Sequence, residues 1–428
     1  MSSLASLGLH RPELRAWALY DLANSAFVTS VITVFYPIYF ASTADPSLTA
    51  GQRTALFAQG TTVALAIVAV LSPFLGLLAD RFAVRKKLLA VSLTLAVLAT
   101  AGLGLVQQGS WQLSLVLFGL ANIGASASFV FYDALLPHIA KPDEIDRVSS
   151  AGYAAGYLGG GVLLLFNVGM VMKPELFGLP DPLSAMRWAF LSVAVWWAVF
   201  SIPLFLKVPE PPAVGAEDSG KGVLAGLVDT LKDLKKFDQA LLLLVAFLIY
   251  NDGIGTIIRM TSAYGAEIGI DNNTMISAIL VVQLIGIPCT FFFAWLSDKI
   301  GIKQAIGSTL LVYTLVTWVA YTMKTAPQFW TLALMVGFAQ GGAQALSRSL
   351  FASMIPESKS SQFFAFFAVA EKFAGVIGVG LFAALASSFE NGRVAVLSLV
   401  LFFMVGGFLL SKVDVAKGRR QAAEANDL

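Results

Sequence analysis

Twelve stretches of mostly apolar side chains, centred near residues 28, 68, 96, 125, 159, 196, 249, 286, 312, 340, 375 and 401, leave this chain few choices of fold. Most are long enough to cross roughly 30 Å of hydrocarbon as helix. With 57% hydrophobic and only 13% charged residues, the composition lies far from that of a soluble domain. Inside a bilayer each backbone N–H and C=O must find its partner within the protein, which leaves helices or closed β-barrels. Barrel strands alternate apolar and polar positions over about ten residues. Runs such as Leu241-Leu242-Leu243-Leu244-Val245-Ala246-Phe247-Leu248 do not alternate. The expectation is an all-α polytopic membrane protein whose successive helices run antiparallel.

Lysine and arginine set the orientation. With the N-terminus inside, 21 basic residues fall on the inner side, among them Arg11, Arg81, Arg85, Lys86, Lys87, Lys299, Lys303, Arg348 and Lys412. The outer side keeps five: Arg53, Lys173, Arg187, Lys324 and Arg393. Both termini are therefore expected in the cytoplasm. The segment before Trp17 is too short and too polar for a cleaved signal peptide, so the first span is expected to be retained. Cys289 is the only cysteine and His10 and His138 the only histidines, which excludes intrachain disulfides and a Cys/His metal cluster. No metal or cofactor is expected. The net charge of +2 reflects topology: the basic rim suits anionic lipid headgroups and makes no case for nucleic acid.

An internal repeat organises the chain. Gly76-Leu77-Leu78-Ala79-Asp80-Arg81 near the third span corresponds to Ala294-Trp295-Leu296-Ser297-Asp298-Lys299 near the ninth, with Asp80 and Asp298 separated by 218 residues. Gly119 and Gly337 keep the same spacing, and Gly156 and Gly375 differ from it by one. Three regions follow: a six-helix bundle over residues 1–206, a cytoplasmic linker over 207–238, and a second six-helix bundle with a short tail over 239–428. The back of the linker, residues 224–237, places Leu224, Leu227, Leu231 and Leu234 on one face, as an interfacial helix would. Two parallel six-helix repeats are a secondary-transporter design, with the solute path between halves that rock. The short Asp-basic loops then read as conformational latches made by Asp80, Arg81, Arg85, Asp298 and Lys299, or as plain topology anchors.

Several motifs carry a resemblance. Gly76, Asp80-Arg81 and Arg85-Lys86 resemble the loop between the second and third helices of the major facilitator superfamily, with the glycine after the aspartate-arginine pair displaced; Asp298-Lys299-Ile300-Gly301 is closer to it. The run Trp17-Ala18-Leu19-Tyr20-Asp21-Leu22-Ala23-Asn24-Ser25-Ala26-Phe27 resembles the opening signature of the branch of vacuolar amino-acid effluxers and their bacterial relatives. Tyr132-Asp133-Ala134-Leu135-Leu136-Pro137 and Gln344-Ala345-Leu346-Ser347-Arg348-Ser349 resemble that branch too. The likeness spans nearly the whole chain. It implies the major facilitator fold of twelve transmembrane helices, no enzymatic activity, a monomer in a bacterial cytoplasmic membrane, and amino acids as a solute class.

Charged and amide side chains within the apolar runs are the candidates for transport, because a carboxylate is costly there unless it faces protein or water. Asp21 and Asn24 open the list, Asp21 either binding a cationic group or a proton, or bracing a partner helix. Asp252, in Tyr250-Asn251-Asp252-Gly253-Ile254-Gly255, interrupts the seventh span, and Asp21 and Asp252 are expected to meet across the two halves. Arg259 either pairs with Asp252, binds a substrate carboxylate, or snorkels outward. Glu371 and Lys372 form either a proton site with its counter-charge or a bridge to Asp133 or Arg348. Depth favours Asp133 and Arg348 as a gate or inter-helix bridge. Gln340, Gln344 and Asn122 offer amides to a polar solute. Together these point to a proton-coupled secondary transporter of a small polar organic solute, such as an amino acid, working by alternating access. A multidrug or lipid exporter of the same fold, a membrane sensor or adaptor, and a membrane enzyme are the rivals.

Overall fold

The computed structural model describes residues 7–43, 50–107, 109–212, 232, 235–267, 270, 272–373, 377–378, 380–381, 385 and 396–426. Helix α1 (Pro12–Ala26) runs on through nine π-helical residues, Phe27–Phe35, into Tyr36–Thr43. The wide turn lies just before Pro37, which has no N–H to continue the α ladder. Thr33 Oγ1 donates to the Val28 carbonyl five residues back, at 2.8 Å. Then come α2 (Ala50–Phe82), α3 (Arg85–Leu103), α4 (Trp111–Ile139), α5 (Ile145–Met172) and α6 (Pro182–Lys207). After the linker follow α7 (Asp238–Glu267), α8 (Asn272–Ile300), α9 (Ile302–Thr322), α10 (Ala326–Ala352), α11 (Ser360–Phe373), α12 (Leu399–Lys412) and α13 (Val415–Asn426).

Among the described residues, nine helices, α1 to α9, are long and apolar enough to cross a membrane, or ten if α12 and α13, bent by 60°, count as one. Helix α10 spans 27 residues but carries Gln340, Gln344 and Arg348. Apolar stripes left bare on the outside show what solvent the fold expects. On α3, Val91, Leu95 and Leu98 are exposed; on α12, Leu401, Met404, Val405 and Phe408. Spacings of three and four place each set on one face, and hydrocarbon covers such stripes where water would penalise them. The chain is an integral, multi-pass membrane protein.

Packing repeats itself along the chain. Helix α1 packs on α5 and α6, α2 on α4, and α3 on α4 and α6; likewise α8 packs on α10, α9 on α10 and α12, and α7 on α12. The first six helices meet the later ones where α2 packs on α11 and where α5 packs on α8 and α10. The linker stretch expected as an interfacial helix lies outside the described residues apart from Lys232, Lys235, Lys236 and Phe237. Phe237 is buried, edge-on to Phe363 of α11 with ring centres 5.5 Å apart.

Candidate functional site

A buried arginine joins three helices of the first group to one of the second. Arg348, on α10, donates from Nη1 to Asp21 Oδ2 (3.1 Å) and Asp133 Oδ1 (3.2 Å), and from Nη2 to Asp21 Oδ2 (3.1 Å) and the Ser149 carbonyl (2.9 Å). Its Nε donates to Ser149 Oγ at 3.0 Å. A guanidinium has five N–H donors, and all five are used. The residue is 3% exposed, against 5% for Asp21 and 4% for Asp133. At that burial a lone charge is prohibitive, and only such complete hydrogen bonding makes the cluster tolerable.

Local sequence builds the cradle. The Trp17 indole N–H donates to the Tyr132 carbonyl (3.0 Å) and the two rings stack at 4.5 Å, which ties α1 to α4 on either side of Asp21 and Asp133. The guanidinium carbon lies 4.7 Å from the Trp17 ring centre, 4.3 Å from Tyr153 and 5.7 Å from Tyr132, so π faces surround the cation. Close approach of α5 to α1 needs glycine. A Cβ on Gly152 would meet Asp21 Oδ2 at 2.6 Å, and one on Gly156 would meet Ser25 Oγ at 2.5 Å.

This cluster forms the floor of a cavity of about 330 Å³. Asp21, Asn24, Ser25, Thr29, Asp133, Tyr153, Gln283, Gln340, Gln344, Arg348 and Glu371 supply its polar lining; Val28, Ile258, Met275, Ile279, Val282, Phe329, Leu332 and Val336 supply the apolar walls. The lining follows α1 from Asp21 to exposed Thr33 and α10 from Arg348 back to Phe329, away from the end rich in lysine and arginine. One cation faces two aspartates, and Glu371 lies within electrostatic reach of Asp133. With every carboxylate ionised, these four groups carry a formal excess of two negative charges.

On the basic side of this floor α2 and α3 meet α11. Asp80, at the end of α2, accepts from the Ser361 (3.1 Å) and Gln362 (2.9 Å) amides in the first turn of α11, where the helix dipole favours an anion. Arg85 pairs with Asp80 at 2.8 Å and reaches Ser361 Oγ (3.0 Å) and the Pro212 carbonyl (3.2 Å); neither Asp80 nor Arg85 has exposed side-chain surface. A Cβ on Gly76 would meet the Ser361 carbonyl at 2.5 Å, so this crossing too depends on glycine. His138 meets Ser360 Oγ at 3.0 Å beside it. Arg81 lies over the Phe82 ring. In the corresponding loop Asp298 meets Arg147 at 3.6 Å, both sides half exposed, and Lys299 is exposed.

Of the candidates, Asp21, Asn24, Asp133, Gln340, Gln344, Arg348 and Glu371 come together around the cavity. Asn24 makes a long contact with Asp21, 3.5 Å. Two are placed elsewhere. The Asn122 amide donates to the Phe118 carbonyl of its own helix (2.9 Å) and does not line the cavity. Asp252 accepts from the Ile377 (3.3 Å) and Gly378 (2.5 Å) amides, while Asp21 turns to Arg348. The two carboxylates expected to meet accept from different donors. The side chains of Arg259 and Lys372 lie outside the described residues. Trp17, Tyr132, Ser149 and Tyr153 escaped the sequence reading, although Trp17 and Tyr132 sit inside the motifs that carried the resemblance.

The family model described as "Vacuole effluxer Atg22 like" matches residues 52–423. The chain is 31% identical to an uncharacterized MFS-type transporter, YxiO, of Bacillus subtilis (strain 168), over 96% of this chain and 97% of that one. It is 21% identical to autophagy-related protein 22 of Pyricularia oryzae, over 95% of this chain and 77% of the relative. Among solved structures, the proton:xylose symporter XylE of the major facilitator superfamily superposes with a TM-score of 0.71 at 14% identity, covering 99% of both chains. With a family model matching most of its length and a near full-length relative above 30% identity, this chain belongs to the Atg22-like family of the major facilitator superfamily.

Proposed function

We propose that this chain is a proton-coupled secondary transporter for a small polar organic solute with an amino group, amino acids included, working by alternating access. One observation carries the reading: Arg348 spends all five donors on Asp21, Asp133 and Ser149, at the floor of a cavity that still presents Glu371. A solute carboxylate would have to displace an aspartate to reach that guanidinium. A cationic group or a proton, by contrast, relieves the excess negative charge. Family membership supports transport itself.

The coupling follows from where the bridge lies. Opening the basic end separates α10 from α1 and α4, so Arg348 must leave Asp21 and Asp133. Protonating either aspartate weakens that bridge, and the proton then travels with the opening. Asp80 and Arg85 hold the same end shut through α11, and Asp298, Arg147 and Lys299 form its weaker counterpart. The twelve-helix arrangement in two six-helix repeats, with bundles over residues 1–206 and 239–428 and cytoplasmic termini, is supported by the 218-residue register and the paired contacts of α2 with α11 and α5 with α8. A lipophilic amine exporter is the second reading, favoured by Met275, Phe329, Leu332 and the other apolar walls.

Reconstitution tests both. In proteoliposomes, uptake of labelled amino acids is expected to follow an imposed pH gradient. Asp21→Asn and Asp133→Asn are expected to keep solute exchange and lose gradient-driven accumulation. Flux indifferent to both pH gradient and membrane potential would remove the proton. A thermal-shift screen in which lipophilic amines stabilise the protein and amino acids do not would favour the exporter.

A further inference from the structure

Above its acidic floor the cavity carries a belt of amides. Gln283, on α8, is 6% exposed and lines the cavity. Its stem packs on α5, where a Cβ on Gly161 would meet Gln283 Cβ at 3.2 Å. Gln340 and Gln344 line the same cavity from α10. None of these three amides has a hydrogen-bond partner among the described residues. An amide buried as deeply as that of Gln283 is costly unless hydrogen-bonded, so its partner must come from what fills the cavity.

Two helices measure the height of this belt. On α5, Asp21 lies against Gly152 and Gln283 against Gly161, about 13 Å of helical rise apart. On α10, Gln340 stands two turns from Arg348, about 12 Å. A Cβ on Gly337 would meet Val282 Cα at 3.1 Å, so α8 and α10 touch here and bring Gln283 and Gln340 to one seam. Between floor and belt, Phe129 of α4 and Tyr157 of α5 supply flat apolar walls. Tyr157 is held in place, because a Cβ on Gly286 or on Gly341 would meet its ring at 2.9 Å. The α1 hydroxyls at this height are engaged: Thr29 donates to the Ser25 carbonyl (2.8 Å) and Ser25 to Asn24 Oδ1 (3.4 Å). Gln344 alone offers an amide halfway. Toward the mouth, Val282, Ile279, Val336 and Leu332 make the lining apolar again.

We infer that Gln283, together with Gln340, hydrogen-bonds the far end of a solute whose amino group sits at the acidic floor. The solute class is an elongated amine with an alkyl spacer and a second hydrogen-bonding group at its other end. This rests on the amine reading above and adds the length of the solute and the residue that measures it. A spacer of about six carbons, with a hydrogen bond of about 2.9 Å at each end, bridges the height. The test titrates full-length protein in neutral detergent with hexylamine and with its ω-hydroxy counterpart, followed by calorimetry. Wild type is expected to bind the amino alcohol about fivefold more tightly, the worth of one net hydrogen bond. Gln283→Leu, which keeps the volume, is expected to abolish that preference and to leave hexylamine binding within about twofold. Gln340→Leu, on the other helix of the belt, carries the same expectation if the first variant does not fold. Equal binding of the two ligands by wild type, or a preference that survives both substitutions, would overturn the inference and leave the amine reading in place. So would loss of hexylamine binding in the variants, which would make the belt a structural part of the cavity. Binding of neither ligand by wild type would overturn the amine reading, and this inference with it.

Discussion

Asp80 and Asp298 stand at the same register of the repeat, yet their surroundings give them different weights. Asp80 is fully buried, accepts two amides of α11 and pairs with an equally buried Arg85. Asp298 is about half exposed and meets Arg147 at 3.6 Å. The bonds from Asp80 to α11 and the pair Asp298–Arg147 both cross from the first six helices to the later ones. The difference is one of solvent: water screens the second pair to the small worth of a surface bridge, while the first has lost its water and depends on protein donors. Positions in similar sequence contexts therefore need not carry the same weight.

The largest effect expected lies deeper. Arg348→Met leaves Asp21 and Asp133 buried without their cation and should cost about 3–5 kcal/mol of stability along with all transport. Arg348→Lys should not restore either, because an ammonium cannot present a planar fork to two carboxylates and Ser149. Thermal melting and solute exchange check this, and a wild-type-like Arg348→Met would refute the cluster as a keystone. Next, Asp80→Asn should cost about 2 kcal/mol, since Arg85 keeps a buried charge with one partner fewer. Asp298→Asn should cost below about 0.5 kcal/mol. Equal losses in the two variants would erase the contrast drawn above.

The smallest expected effect asks whether exposure alone makes an aspartate weak. Asp181 is partly exposed but caps α6, accepting from the Ser184 amide and hydroxyl at 2.9 Å each, and these bonds hold its carboxyl below the usual carboxylate range. A depressed folded-state pKa means that the contribution is present above the unfolded value, near pH 4, and fades as pH falls through the lower folded value. Asp181→Ala should therefore lower the melting temperature slightly at pH 7 and leave it unchanged in strong acid. A shift of the same size at both pH values would assign the loss to something other than the charged cap.

Much of the site was legible before the fold was known. Asp21, Asp133, Gln340, Gln344, Arg348 and Glu371 announce themselves because polar groups are costly in hydrocarbon. Their partners do not. Ser149 and Tyr153 look like ordinary helix residues, and the pairing of Asp21 with Arg348 joins positions 327 residues apart. Asp252 shows the same limit: its depth marks it as a candidate, but only the fold shows that its carboxylate accepts from the Ile377 and Gly378 amides.

Apolar run length and composition settled by themselves that this chain enters a membrane as helices. Those properties are local or periodic, and backbone hydrogen bonding in lipid translates them directly into architecture. Which aspartate faces an arginine, an amide or water was decided only when α1, α4, α5 and α10 packed together. Charge pairing depends on distance and solvent, and both arise from contacts between residues hundreds of positions apart.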